Sequence, residues 1–230
     1  LVGNDGLYPH DGYRYWYDYF EKEPVADGIP IRREQRAPYR EWAHEFAGTG
    51  YTFAMPVVYT WYPTHDWYDF ADRDYRWFYN MLKVGSNAGK HTPPTTPIIP
   101  FVHWHTTAPP EDPDPDVRQF SESAYKDLLW HLLLRGHDTF FLWCMGDELA
   151  RETALVHEVY ADSQSHSGFI TRGTPIEFAV PDQPKEIVSG LRLGNRVLIK
   201  RTNFGNATGP KTLTLADAAQ VEVHDREDVH

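Results

Sequence analysis

Three short segments rich in β-branched and aromatic residues are each followed by a polar loop and then by a stretch with helical spacing. This alternation limits what the chain can fold into more than any other feature. The segments are Met55–Trp61, Ile98–His105 and Thr139–Cys144. Each is too short for a helix of ordinary length and is bounded by Gly or Pro, so each is expected to be a buried strand. Arg73 to Val84 follows the first as a helix, with Gly85 expected just past its end. A Pro- and Asp-rich loop, Thr106 to Asp116, follows the second. Ser121 or Ser123 then caps a helix running to Arg135, whose Leu128, Leu129, Leu132 and Leu133 share one face, and Gly136 ends it. Gly146-Asp147-Glu148 opens a further helix that continues to about Ser163. Strands alternating with helices imply a parallel sheet covered by helices. The expectation is an α/β chain, a partial or complete (β/α) barrel over residues 1–172.

From Gly173 the texture changes. Residues 176–180, 187–193, 197–202, 212–215 and 221–223 read as short strands, with a tight hairpin at Leu193-Gly194-Asn195-Arg196. Residues 173–230 are therefore expected to form a small C-terminal antiparallel β-sandwich module. A full eight-fold barrel usually needs about 250 residues. With the tail set aside, the 230-residue chain is too short for one, so an N-terminal portion of the same protein is expected as a partner. Residues 1–37 are dense in Tyr and Gly, and residues 38–46 are read as a helix.

Bulk chemistry narrows the partners. The net charge of −11, from 22 basic and 33 acidic residues, argues against nucleic acid and anionic membranes. No apolar run is long enough to span a bilayer. The single cysteine, Cys144, rules out an internal disulfide and is read as a buried core thiol. Phosphate-binding loops, dinucleotide fingerprints and the serine-hydrolase elbow are missing from the sequence. Aromatic residues are 15% of the chain, with eight Trp.

In a (β/α) barrel the active site lies at the C-terminal ends of the strands. That rule selects Tyr59, Trp61 and Asp66 after the first strand. It selects His103, Trp104 and His105 on the second, and Trp143, Asp147 and Glu148 after the third. Flat aromatic faces stack on the apolar C–H faces of sugar rings, so Tyr59, Trp61, His103, Trp104, His105 and Trp143 are read as substrate-binding. Asp147, Glu148 and Asp66 are the candidate catalytic carboxyls, because glycoside hydrolysis needs one protonated and one ionised carboxyl group. The bland reading of Gly146-Asp147-Glu148 is a helix N-cap. His103 and His105 lie on one side of a strand, a geometry that can also hold a metal with Asp147 as third ligand. The leading reading has no metal and no cofactor, with the histidines contacting sugar hydroxyls. The alternatives are a metal-dependent hydrolase using His103, His105 and Asp147, and a carbohydrate-binding protein without catalysis.

Four strings carry a family resemblance: Gly6-Leu-Tyr-Pro-His-Asp-Gly-Tyr13, Pro56-Val-Val-Tyr-Thr60, Pro97-Ile-Ile-Pro-Phe-Val102 and Phe141-Leu-Trp-Cys-Met-Gly146. In this order, across about residues 5–160, the chain resembles the later half of a hyaluronidase-like glycoside hydrolase barrel. The resemblance implies that Tyr59 and Trp143 line a sugar subsite. The family's Asp-x-Glu pair on its fourth strand has no counterpart here, so the resemblance places that pair upstream of Leu1. The family's cysteines are also missing, which favours a distant bacterial-type relative. The function expected is a secreted or periplasmic glycosidase acting on a polysaccharide or oligosaccharide.

Overall fold

The computed structural model describes residues 52–56, 78–79, 81–82, 85–86, 88–90, 92, 94–104, 121–142, 146–181, 185–204, 209–215 and 219–223. Tyr59, Trp61, Asp66, His105, Trp143, Cys144, the 38–46 helix and the Gly6–Tyr13 string lie outside the described residues.

Three chain segments pair in parallel and in chain order. Ala54 bridges Ile98, and strand β1 (Phe101–Val102) pairs with strand β2 (Phe141–Leu142). The ladder reaches beyond these labels: Ile99 N–H donates to Ala54 O at 2.8 Å, Phe101 N–H to Pro56 O at 2.9 Å and Phe141 N–H to Pro100 O at 2.9 Å. Asp138 clamps the entry to β2. Its N–H donates to Ile98 O at 2.9 Å, and its carboxylate accepts from Ile98 N–H at 2.8 Å. Parallel neighbours need a crossover between them, and helices supply it. The described helical positions between 78 and 90 (α1) fall in the first connection. Helix α2 (Glu122–Leu133) falls in the second.

Side chains on a strand alternate between faces. Ala54, Ile98 and Val102 enter one core with Phe78, Tyr79, Met81 and Leu82 of α1 and with Tyr125, Leu128, Leu129 and Leu132 of α2. On the other face, the rings of Phe53 and Phe101 lie 5.9 and 6.2 Å from the ring of Phe141. Helix α2 follows its sequence closely. Ser121 is the N-cap and accepts from Ala124 N–H at 3.3 Å, while Gly136 at φ +93° turns the chain back toward β2.

Gly85 is not the end of α1: residues 85, 86 and 88–90 are helical. Its bareness serves a close approach, because a Cβ there would collide with the Leu132 side chain and lie 3.1 Å from the His137 ring. After β2, helix α3 (Leu149–Ser163) leads through a 3₁₀ turn into a short helix α4 (Ser167–Arg172). Leu155 and Val159 of α3 join the main core.

The C-terminal part is antiparallel. Strands β3 (Thr174–Pro175), β4 (Glu186–Leu193) and β5 (Arg196–Asn203) form one sheet; β6 (Lys211–Thr214) and β7 (Gln220–Val223) form another. The hairpin at Gly194, with φ +62°, stands where the sequence puts it. Residues 176–180, expected to be a strand, have no regular structure; the strand stops at Pro175, before Arg135 takes the carbonyls of Phe178 and Ala179. Strand β4 is buried on both faces. Ile187 enters the main core, while Val188 packs with Leu213, Ile176 and Ile199 in a second small core.

Candidate functional site

The strands run toward residues 56, 104 and 142, so β1 delivers His103 and Trp104 to their C-terminal edge. The chain leaving β2 returns as the first turn of α3, carrying Asp147, Glu148 and Glu152. The described site is built where these two pieces and α2 meet.

Its centre is Glu152, which is fully buried. One carboxylate oxygen accepts from the Tyr125 hydroxyl at 2.7 Å and from the Trp104 backbone N–H at 3.0 Å. Tyr125 is likewise fully buried, on α2. Three elements are thereby tied at one atom: the end of β1, the first turn of α2 and the first turn of α3. A buried carboxylate is costly unless hydrogen-bonded, and both donors here come from a strand end and a core helix. Glu152 thus fixes the height at which Trp104 leaves the strand.

Glu148 sits one helical turn before Glu152, and its carbonyl accepts the Glu152 N–H at 2.9 Å. It occupies the N-cap position of α3, but its side chain makes no capping hydrogen bond. The capping role considered for Gly146-Asp147-Glu148 is therefore not performed by the Glu148 carboxyl. Partial burial, then Asp147, then Glu152 raise the pKa of Glu148 above the ordinary carboxylate value. Each of the three disfavours the ionised form. Asp147 is exposed.

His103 is buried, with 3% of its surface accessible, whereas Trp104 is half-buried and packs against the main core. Adjacent strand residues face opposite ways. His103 therefore shares its side with Phe101, and Trp104 shares its side with Val102. Of the residues read from sequence, Trp104 and Glu148 are linked through Glu152, which accepts the Trp104 N–H and lies one turn from Glu148, while buried His103 faces the other side of the strand end. Tyr59, Trp61, Asp66, His105 and Trp143 lie outside the described residues. Among the described residues no group of three His, Cys, Asp or Glu side chains could hold a metal ion.

Glu152 and Tyr125 were not picked from sequence. A signal was present: Glu152 falls on the same helical stripe as Leu155 and Val159, at spacings of 3 and 7. A carboxylate on an apolar stripe is either misplaced or employed.

No family model, no curated protein and no solved structure matches this chain.

Proposed function

We propose that the chain is part of a glycoside hydrolase of (β/α)-barrel type, acting on a polysaccharide or oligosaccharide at the C-terminal edge of its parallel strands. The observation that carries the reading is the hydrogen bond by which buried Glu152 holds the Trp104 N–H at that edge, one helical turn from Glu148. Strand ends are where such architectures place their chemistry, and a carboxyl group whose surroundings raise its pKa suits protonation of a glycosidic leaving group.

In this reading Glu148 is the general acid that protonates the departing oxygen. Trp104 offers an aromatic face to a sugar ring, and His103 orients the strand end or a hydroxyl group. Tyr59, Trp61, His105 and Trp143 extend the sugar-binding wall. Partial burial and then the negative charge of Asp147 raise the Glu148 pKa above the ordinary carboxylate value. In this reading Asp66 is the candidate for the second carboxyl group. The C-terminal sheets brace the helix layer.

The test is release of reducing ends from a panel of neutral and acidic polysaccharides, compared between wild type and Glu148→Gln. The reading expects hydrolysis of at least one polysaccharide and its loss in the variant. Hydrolysis that disappears on chelation and returns with zinc would favour the metal reading through His103, His105 and Asp147. Sugar binding without hydrolysis would favour a binding protein.

A further inference from the structure

The strongest unused feature of the molecule is a buried polar seam between α2 and the C-terminal sheet. Arg135 is completely buried there. Its guanidinium donates to the hydroxyls of Ser189 and Ser86 at 2.7 and 2.6 Å. It also donates to the carbonyls of Phe178, Ala179 and Val188 at 2.8, 3.0 and 3.2 Å. One turn earlier His131, also fully buried, bridges the two strands of the β4–β5 hairpin. Its Nδ1 lies 2.7 Å from Ser189 Oγ on β4, and its Nε2 lies 2.9 Å from Thr202 Oγ1 on β5.

Hydrogen bookkeeping assigns every proton in this chain. The Thr202 hydroxyl donates to the Asp127 carboxylate at 2.9 Å, so toward His131 it can only accept. His131 therefore carries its proton on Nε2, leaving Nδ1 bare. Ser189 Oγ accepts from Arg135 Nε–H and donates its single proton to that bare nitrogen. A direction runs from Arg135 through Ser189, His131 and Thr202 to Asp127, and only a neutral imidazole completes it. A second proton on His131 would sit on Nδ1, facing the Ser189 hydroxyl proton and the Arg135 charge behind it.

We propose that this seam is an acid-operated latch: a neutral His131 holds the β4–β5 hairpin on α2, and protonation of His131 releases the hairpin before the helix layer unfolds. The groups around the ring bear this out. Arg135, in the turn just past the end of α2, and Lys200 on β5 are both cationic. Asp127 is separated from it by the Thr202 hydroxyl and is already paired with Lys200 at 2.7 Å. Strand β4 offers Ser189, and α1 offers the uncharged ring of Phe78, its centroid 5.5 Å away. Burial, Arg135 and Lys200 all hold the His131 pKa well below its ordinary value.

Once the hairpin lifts, His131 is hydrated and titrates near its ordinary value of about 6.5. One proton taken up on opening shifts the opening equilibrium about tenfold between about pH 7.5 and 5.5. Amide hydrogen exchange on the whole chain, corrected for the intrinsic pH dependence of exchange, reads this directly. Protection of residues 186–203 is expected to fall about tenfold more than protection of α3 over that range. In His131→Gln, whose amide can accept from Ser189 and donate to Thr202 at any pH, the extra fall is expected to vanish. In His137→Gln, which removes the other buried imidazole near Arg135, it is expected to persist. A fall shared equally by hairpin and α3, no fall at all, or an undiminished fall in His131→Gln would overturn the latch. If His131→Gln does not fold, wild type and His137→Gln decide by the same comparison.

Discussion

Replacing Glu152 tests the knot that holds the strand end. In Glu152→Ala, the Tyr125 hydroxyl and the Trp104 N–H both lose the oxygen they share at 2.7 and 3.0 Å. Each is a buried or part-buried donor, and a donor left unsatisfied costs about 1–3 kcal/mol. The sum is about 2–6 kcal/mol, a large share of the roughly 5–15 kcal/mol by which a domain is stable. Glu152→Gln keeps an acceptor oxygen and removes a buried charge. It loses only the charge-assisted part of each bond, about 1 kcal/mol apiece, set against a smaller desolvation cost. Urea unfolding followed by tryptophan fluorescence measures both. The expected order is Glu152→Ala well below Glu152→Gln, with Glu152→Gln near wild type. A double-mutant cycle with Tyr125→Phe is expected to show coupling of about 0.5–3 kcal/mol, as contacting groups in one network do. Equal midpoints for Glu152→Ala and wild type, or additive effects in the cycle, would refute the knot.

Three further predictions follow from packing and titration. Leu128→Ala, at a fully buried α2 position, is expected to cost about 2–5 kcal/mol in urea unfolding; a cost under about 1 kcal/mol would contradict the core described. Gly89→Ala would drive a Cβ into the Arg135 carbonyl oxygen and to 2.8 Å from the Phe178 ring. Despite a helix-propensity gain of about 1 kcal/mol, it is expected to lower the thermal midpoint, and a rise would show that α1 and α2 do not meet there. His137, buried with its Nε2–H on Gly85 O at 2.8 Å, has its pKa lowered to about 4 by burial. Its folded pKa is below the unfolded one, so the unfolded chain takes up the proton first. Stability is therefore complete above about pH 6.5 and is lost as pH falls toward 4, by about 3 kcal/mol from this group. His137→Gln is expected to flatten that acid slope, and an unchanged slope would contradict the assignment.

Helix α2 was legible because its signals agree. Ser121 caps it, Leu128, Leu129 and Leu132 fill one stripe, and Gly136 adopts the positive φ that ends it. The β4–β5 hairpin was legible for the same reason, with Gly194 between two alternating runs. Gly85 misled because glycine has two uses, and nothing local distinguishes a helix end from a close approach by Leu132 on a helix some 50 residues away in sequence. Residues 176–180 have strand-like composition, yet two of their carbonyls are spent on a buried arginine, a demand set by tertiary structure. The strand-end rule reached His103, Trp104 and Glu148 but passed over Glu152. A charged residue in a helix is normally solvated, and only its register with Leu155 and Val159 marks it as inward. The same register, with Leu128 and Leu132, marks Arg135.

The proposed function rests on Glu148 more than on any other side chain. Its carboxyl is pushed upward by burial, by Asp147 and by Glu152, so the protonated form persists to higher pH than for an ordinary glutamate. The most direct test is the pH dependence of kcat/KM for polysaccharide hydrolysis by wild type and Glu148→Gln. The account predicts activity that declines as pH rises above the ordinary carboxylate range, and a loss of about 10²–10⁴-fold in the variant, the usual contribution of a general acid. Hydrolysis by Glu148→Gln within twofold of wild type, with the same pH profile, would contradict it.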